Sequence, residues 1–170
     1  MGLDISAYSR LIPATESEDG IRVFAADPAF MPRLDGRAEG CYARTPETEE
    51  LRFRAGSYSG YSDWRRELSR LIQGREPEAV WGDPQGPFAE LIYFSDCEGA
   101  IGPITSAKLA RDFHAHYAAV KAANPVLVAR TIFRPECAPS EERAAWFVPA
   151  YEAWMRAFDL AAQDGFVIFC

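Results

Sequence analysis

Two short polar stretches hold the densest functional groups in this 170-residue chain. One runs Ser57, Tyr58, Ser59, Gly60, Tyr61, Ser62, Asp63; the other is Ser95, Asp96, Cys97, Glu98, Gly99. Each reads as the entrance to a helix. Backbone N–H groups at a helix start lack partners within the helix and carry partial positive charge, so two converging entrances form a site for an anion or polar ligand. Ser57, Tyr58, Ser59, Tyr61, Ser95, Asp96 and Glu98 would line such a site, with Arg65 as counter-charge. A purely structural reading competes with it. Ser and Asp cap helices, and Gly56, Gly60 and Gly99 permit tight turns.

Catalysis needs more than polar density. Cys97 lies between Asp96 and Glu98, whose negative charge raises a thiol pKa, so a nucleophilic Cys97 requires His116 or His114 beside it. A mononuclear metal site would take Asp96, Glu98 and His116, but the spaced acidic ladder of an EF-hand is absent. His114 and His116 cannot share one ion from a helix, because residues two apart point in nearly opposite directions. A small hydrolase or transferase using Asp96, Cys97, Glu98 and His116 is the catalytic alternative. No phosphate loop, dinucleotide fingerprint, nucleophile elbow or H-E-x-x-H motif occurs, and no cofactor is expected.

Composition narrows the partners. Eighteen basic against twenty-five acidic residues give a net charge of -7, with no run of five like charges, so no nucleic-acid or anionic-membrane footprint is expected. Apart from Lys108 and Lys121 the basic residues are all arginines, the side chain suited to bidentate anion contacts. An acidic DNA mimic is a third reading, weakened by the arginines interspersed among the acids. The cysteines, Cys41, Cys97, Cys137 and Cys170, form no C-x-x-C pair and read as free thiols in a reducing compartment. MGLDISAYSRLIP lacks the basic and apolar regions of a signal peptide, and no apolar run suits a membrane span. The expected location is the cytoplasm.

The elements that must position these groups follow from periodicity. Leu3, Ile5 and Ala7 alternate with Asp4, Ser6 and Tyr8, the pattern of a half-buried strand that stops at Pro13 and a polar turn. Ile21 to Ala25 alternates again, and a first antiparallel hairpin is expected from the pair. Residues 33–50 read as irregular with an edge strand at CYAR, and Leu51 to Arg54 as another strand. From Asp63, Trp64, Leu68, Leu71 and Ile72 keep helical spacing, with Ser62 as N-cap and Gly74 as stop. Gly74 to Pro87 reads as a long loop holding Trp81, and Phe88 to Phe94 as a helical turn. A helix from Thr105 to Ala122 puts His116 in the stripe of Leu109, Phe113, Tyr117 and Val120, as a hydrogen-bonded core histidine, with His114 at its edge.

Val126 to Phe133 then reads as a strand. Ser140 opens a long helix whose stripe includes Phe147, Tyr151, Trp154 and Phe158; Pro149 should kink or divide it, and Trp146 faces away. FVIFC closes the chain as a strand. The expected fold is α+β, one domain over residues 1–170, with a small antiparallel sheet of N-terminal strands plus the C-terminal strand packed against three main helices.

Four islands, MGLDI-x-AY, GSYSGY, FSDCEG-x-IGP and DGFV-x-F, span nearly the whole chain. Together they resemble a family of small uncharacterised phage and prophage proteins. The resemblance implies a bacterial host cytoplasm and no particular reaction. The function expected is a non-catalytic phage accessory protein that binds a host protein or a small polar or anionic ligand, with counter-defence as one purpose and homo-oligomers compatible.

Overall fold

The computed structural model describes residues 2–15, 20–123 and 141–170, the side chains of 141–145 excepted. The expected strand at Val126 to Phe133, the cap at Ser140 and Cys137 lie outside the described residues. The architecture is α+β. Strand β1 (Leu3–Tyr8) is flanked by β5 (Glu50–Gly56) and by β7 (Phe166–Phe169), and β6 (Gly99–Ile101) pairs with the far side of β7. All three pairings are antiparallel, with Ile5 opposite Phe53 on one side and Phe169 on the other. The N-terminal and C-terminal strands therefore share a sheet, as expected.

A second sheet was not expected. β2 (Ile12–Ala14), β3 (Ile21–Val23) and β4 (Gly40–Ala43) form a three-stranded antiparallel sheet in the order β2, β4, β3. The strand at Ile21 thus pairs with β4, and the expected hairpin with β1 does not form. β5 takes that edge of β1 instead, because its longer alternation of Leu51, Phe53 and Ala55 continues the buried face of Leu3, Ile5 and Ala7.

The three main helices cover one face of the larger sheet. These are α1 (Tyr58–Gln73), α4 (Pro103–Ala123) and α5 (Glu141–Ala161), with short turns α2 (Pro77–Gly82) and α3 (Ala89–Ile92) between the first two. α2 replaces part of the expected loop, and Trp81 on it donates its indole N–H to the Ile92 carbonyl at 3.1 Å. α5 is undivided at Pro149, which is exposed. Between helices and sheet lies an aromatic cluster centred on Trp154, stacked on Tyr61 at 5.4 Å, on Phe158 at 5.7 Å and on Trp64 at 5.9 Å.

The opposite face of the larger sheet packs on the smaller one. Tyr8, Ala100, Phe166 and Ile168 there meet Ile21, Val23 and Tyr42. This explains the uninterrupted apolar run of β7: Val167 and Phe169 face the helices while Phe166 and Ile168 face the second sheet, so all four are buried. No helix among the described residues is long and apolar enough to cross a membrane.

Candidate functional site

The first polar stretch is part of a helix. α1 begins at Tyr58, one turn before the expected start, and Ser57 is its N-cap, its hydroxyl accepting the Gly60 N–H at 3.0 Å. Ser62 lies inside the helix. Tyr61 and Trp64 are buried on the same stripe as Leu68, and that continuity carries the helix back through the serines and Gly60. The hydroxyls of Ser57 and Ser59 lie 3.1 Å apart on an exposed surface.

The second stretch does not lead directly into a helix. The Ser95 hydroxyl accepts the N–H groups of Cys97 and Glu98, at 3.3 and 3.1 Å, closing a tight turn that runs into β6. The start of α4 is already filled by a carboxylate. Asp35 accepts the Thr105 N–H at 2.8 Å and the Thr105 hydroxyl at 2.7 Å. Two open helix entrances facing a common ligand are therefore absent.

The two stretches do meet, through Arg65. Its guanidinium donates to the Phe94 carbonyl at 2.7 Å, next to Ser95, and lies over the Tyr61 ring at 4.4 Å. Arg65 is only 6% exposed, so it cross-links α1 to this segment and is not displayed as a counter-charge. Burial pushes the Tyr61 phenol well above its usual pKa; the Arg65 charge opposes this and the negative charge of Asp96 adds to it. The Tyr61 hydroxyl has no hydrogen-bond partner among the described residues. Tyr58 is half-buried against the core, while Asp96 and Glu98 are exposed.

The metal grouping is not assembled among the described residues. No three or more His, Cys, Asp and Glu side chains among the described residues gather closely enough to hold an ion, so Asp96, Glu98 and His116 do not form the expected set. The Cys97 sulfur is 3.6 Å from the Ser95 hydroxyl. The half-buried His116 ring packs 5.8 Å from Phe88, and it is His114 that is paired, with Asp159 at 2.9 Å. His116 is thus half-buried instead of in the core, and His114, exposed at the edge of the stripe, is the one hydrogen-bonded, to Asp159.

A cleft lies elsewhere, where four connections converge between the two sheets. It has a volume of about 540 Å3 and is lined by Arg10 to Pro13, Arg37, the turn from Thr45 to Glu47, and Asp164. Two of these residues have left-handed backbones, Arg10 with φ of 50° and Asp164 with φ of 57°. That conformation costs roughly 1–2 kcal/mol for a residue with a Cβ, and the short polar side chain of Asp tolerates it better than Arg. The corner is tied by Arg10 N–H to the Gln163 carbonyl at 2.8 Å and Leu11 N–H to the Asp164 carbonyl at 3.2 Å.

Two arginines line the cleft beside this corner. Arg10 donates to the Glu47 carbonyl at 3.1 Å and to the Gln163 side-chain oxygen at 2.9 Å, with the Glu49 carboxylate 3.7 Å away. Arg37 pairs with Asp164 at 2.7 Å. Sequence reasoning missed this site because Arg37 and Asp164 are 127 positions apart and Arg10 and Gln163 are 153 apart. The one local signal is that Arg10 interrupts the chain just where the alternation of β1 ends. Comparison of the chain with protein families, with curated proteins and with solved structures finds no match.

Proposed function

We propose that the protein is a non-catalytic binding module that takes a small anionic ligand in the cleft between Arg10 and Arg37. The observation that carries this reading is that Arg10 and Arg37 both line the cleft, their side chains 41% and 31% exposed. Each guanidinium has five N–H donors in a planar fork, and the bond to Asp164 uses one of those on Arg37. Asp164, 77% exposed, can rotate into water and yield its place to a ligand carboxylate or phosphate. The cleft volume lies within the range of roughly 300–1,000 Å3 of small-molecule sites. A phage or prophage setting is supported by the four sequence islands, with counter-defence as a purpose that rests on the same resemblance.

Thermal-shift titration with phosphate, acetate and hexanoate tests the reading, on the wild type and on Arg37→Gln. At least one anion raises the melting temperature of the wild type, and Arg37→Gln removes most of that rise. No rise with any of the three, or an equal rise in the variant, overturns it.

A further inference from the structure

Building on the arginine cleft proposed above, we infer that its ligand is a small organic monocarboxylate with an apolar body. Two features of the cleft beyond its arginines point to this chemistry. The first is the apolar wall. β2 is a three-residue strand in which Ile12, Pro13 and Ala14 are all exposed, although a strand in a packed sheet ordinarily turns alternate residues inward. Ile12 is 51% exposed and lines the cleft with Pro13 and the exposed Pro46. An inorganic ion held at Arg37 would leave this wall and most of the 540 Å3 to water.

The second feature is the charge balance. Arg10 and Arg37 share the cleft with the acidic residues Glu47 and Asp164, and the Glu49 carboxylate stands 3.7 Å from Arg10. A single negative charge can replace Asp164 at Arg37, keeping the balance unchanged while Asp164 turns to solvent. A second negative charge on the ligand would add to the acidic residues Glu47, Glu49 and Asp164 around the cleft without a free cation to offset it. The geometry therefore favours one carboxylate, taken by the Arg37 fork and the remaining donors of Arg10, with an alkyl or aryl body laid along Ile12, Pro13 and Pro46.

Isothermal titration with the series acetate, butanoate, hexanoate and octanoate, and with octanol as the uncharged control, tests the inference. Complete burial of a methylene raises affinity about fourfold, so a partly open cleft gives two- to fourfold per methylene along the series. Ile12→Ser, a change at an exposed position, flattens that slope. Arg37→Gln weakens every carboxylate by a similar factor and keeps the slope, and octanol binds more weakly than octanoate. A flat series in the wild type, with acetate binding still dependent on Arg37, overturns the apolar-body inference and leaves the arginine cleft standing. An unchanged slope in Ile12→Ser, or octanol binding as tightly as octanoate, also overturns it. No binding by any carboxylate overturns the inference, and the cleft reading falls with it only if phosphate also leaves the melting temperature of the wild type unmoved.

Discussion

The Asp35 carboxylate closes the start of α4, one oxygen receiving the Thr105 N–H at 2.8 Å and the other the Thr105 hydroxyl at 2.7 Å. Asp35 follows the 3-10 turn Pro28–Leu34, so this cap also fixes that turn against the helix that carries both histidines. An anion at a helix start offsets the helix dipole as well as filling orphan donors. Asp35 itself is left-handed, with φ of 57°, which Asn accepts more readily than Ala. Asp35→Ala is expected to lower stability by about 2 kcal/mol, and Asp35→Asn by about half of that. Urea unfolding of the two variants measures the difference, and equal losses would refute the cap as the main cause.

Gly165 makes a different kind of junction. A Cβ there would fall 1.6 Å from the Tyr8 carbonyl oxygen and 2.9 Å from the Ser9 Cα, so the obstacle is backbone and cannot rotate away. β7 must enter beside β1 at this point, and Gly165→Ala forces the two strands apart. The variant is expected to lose at least about 3 kcal/mol, in the range of the most disruptive single substitutions. Circular-dichroism melting against the wild type is the check.

Two buried tyrosines should answer oppositely to loss of the hydroxyl. The Tyr151 hydroxyl donates to the Phe113 carbonyl at 2.7 Å, whereas the Tyr61 hydroxyl finds no partner among the described residues. Tyr151→Phe is expected to cost about 1 kcal/mol, and Tyr61→Phe to stabilise by about the same amount, since it removes a desolvated polar group.

The same pair shapes the alkaline limb of stability. Burial holds both phenols well above the ordinary tyrosine value, with the charge of Asp112 adding to the effect at Tyr151. In the unfolded chain a tyrosine ionises near pH 10, before its folded counterpart does. The contribution is therefore complete below about pH 10 and is lost as pH rises from there toward the folded values. Urea unfolding between pH 9 and 11 should show a shallower decline for Tyr61→Phe than for the wild type.

The ends of the chain were legible because each carries a plain strand pattern. β1 alternates, and β7 is apolar throughout because two layers cover it. The second sheet was harder to read. β2 has three exposed residues including Pro13, and β3 has only three residues, too few for periodicity to assign a partner. The serines and Gly60 at 57–62 hid the first turn of α1 behind the composition of a loop, although Tyr61 continues its buried stripe. The proposed cleft depends on a left-handed corner at Arg10 and on contacts between distant turns, which local spacing does not encode.

Arg65 distinguishes a buried cross-link from a ligand contact. Arg65→Ala leaves a void beside Tyr61 and an unmatched Phe94 carbonyl, and is expected to cost about 3 kcal/mol. Arg65→Met fills the space without burying a charge but leaves the same carbonyl unmatched, and should cost about 1–2 kcal/mol, less than the alanine variant. Carboxylate affinity at the Arg10 and Arg37 cleft is expected to be unchanged in Arg65→Met. A large loss of affinity in that folded variant would return Arg65 to the binding site.

Arg10 separates stability from binding most sharply. Its left-handed backbone opposes folding, while its guanidinium bonds to the Glu47 carbonyl and the Gln163 side chain favour it. Arg10→Gly relieves roughly 1 kcal/mol of backbone strain and gives up two partly exposed hydrogen bonds worth a similar amount, so net stability should move by less than about 1 kcal/mol. The ligand has no such compensation. Loss of a charge-assisted contact worth about 1.5–3 kcal/mol predicts a fall in carboxylate affinity of roughly 10- to 100-fold, read by titration beside the melting curve. Unchanged affinity in a folded Arg10→Gly would mean that Arg10 serves only the corner and that Arg37 alone receives the anion.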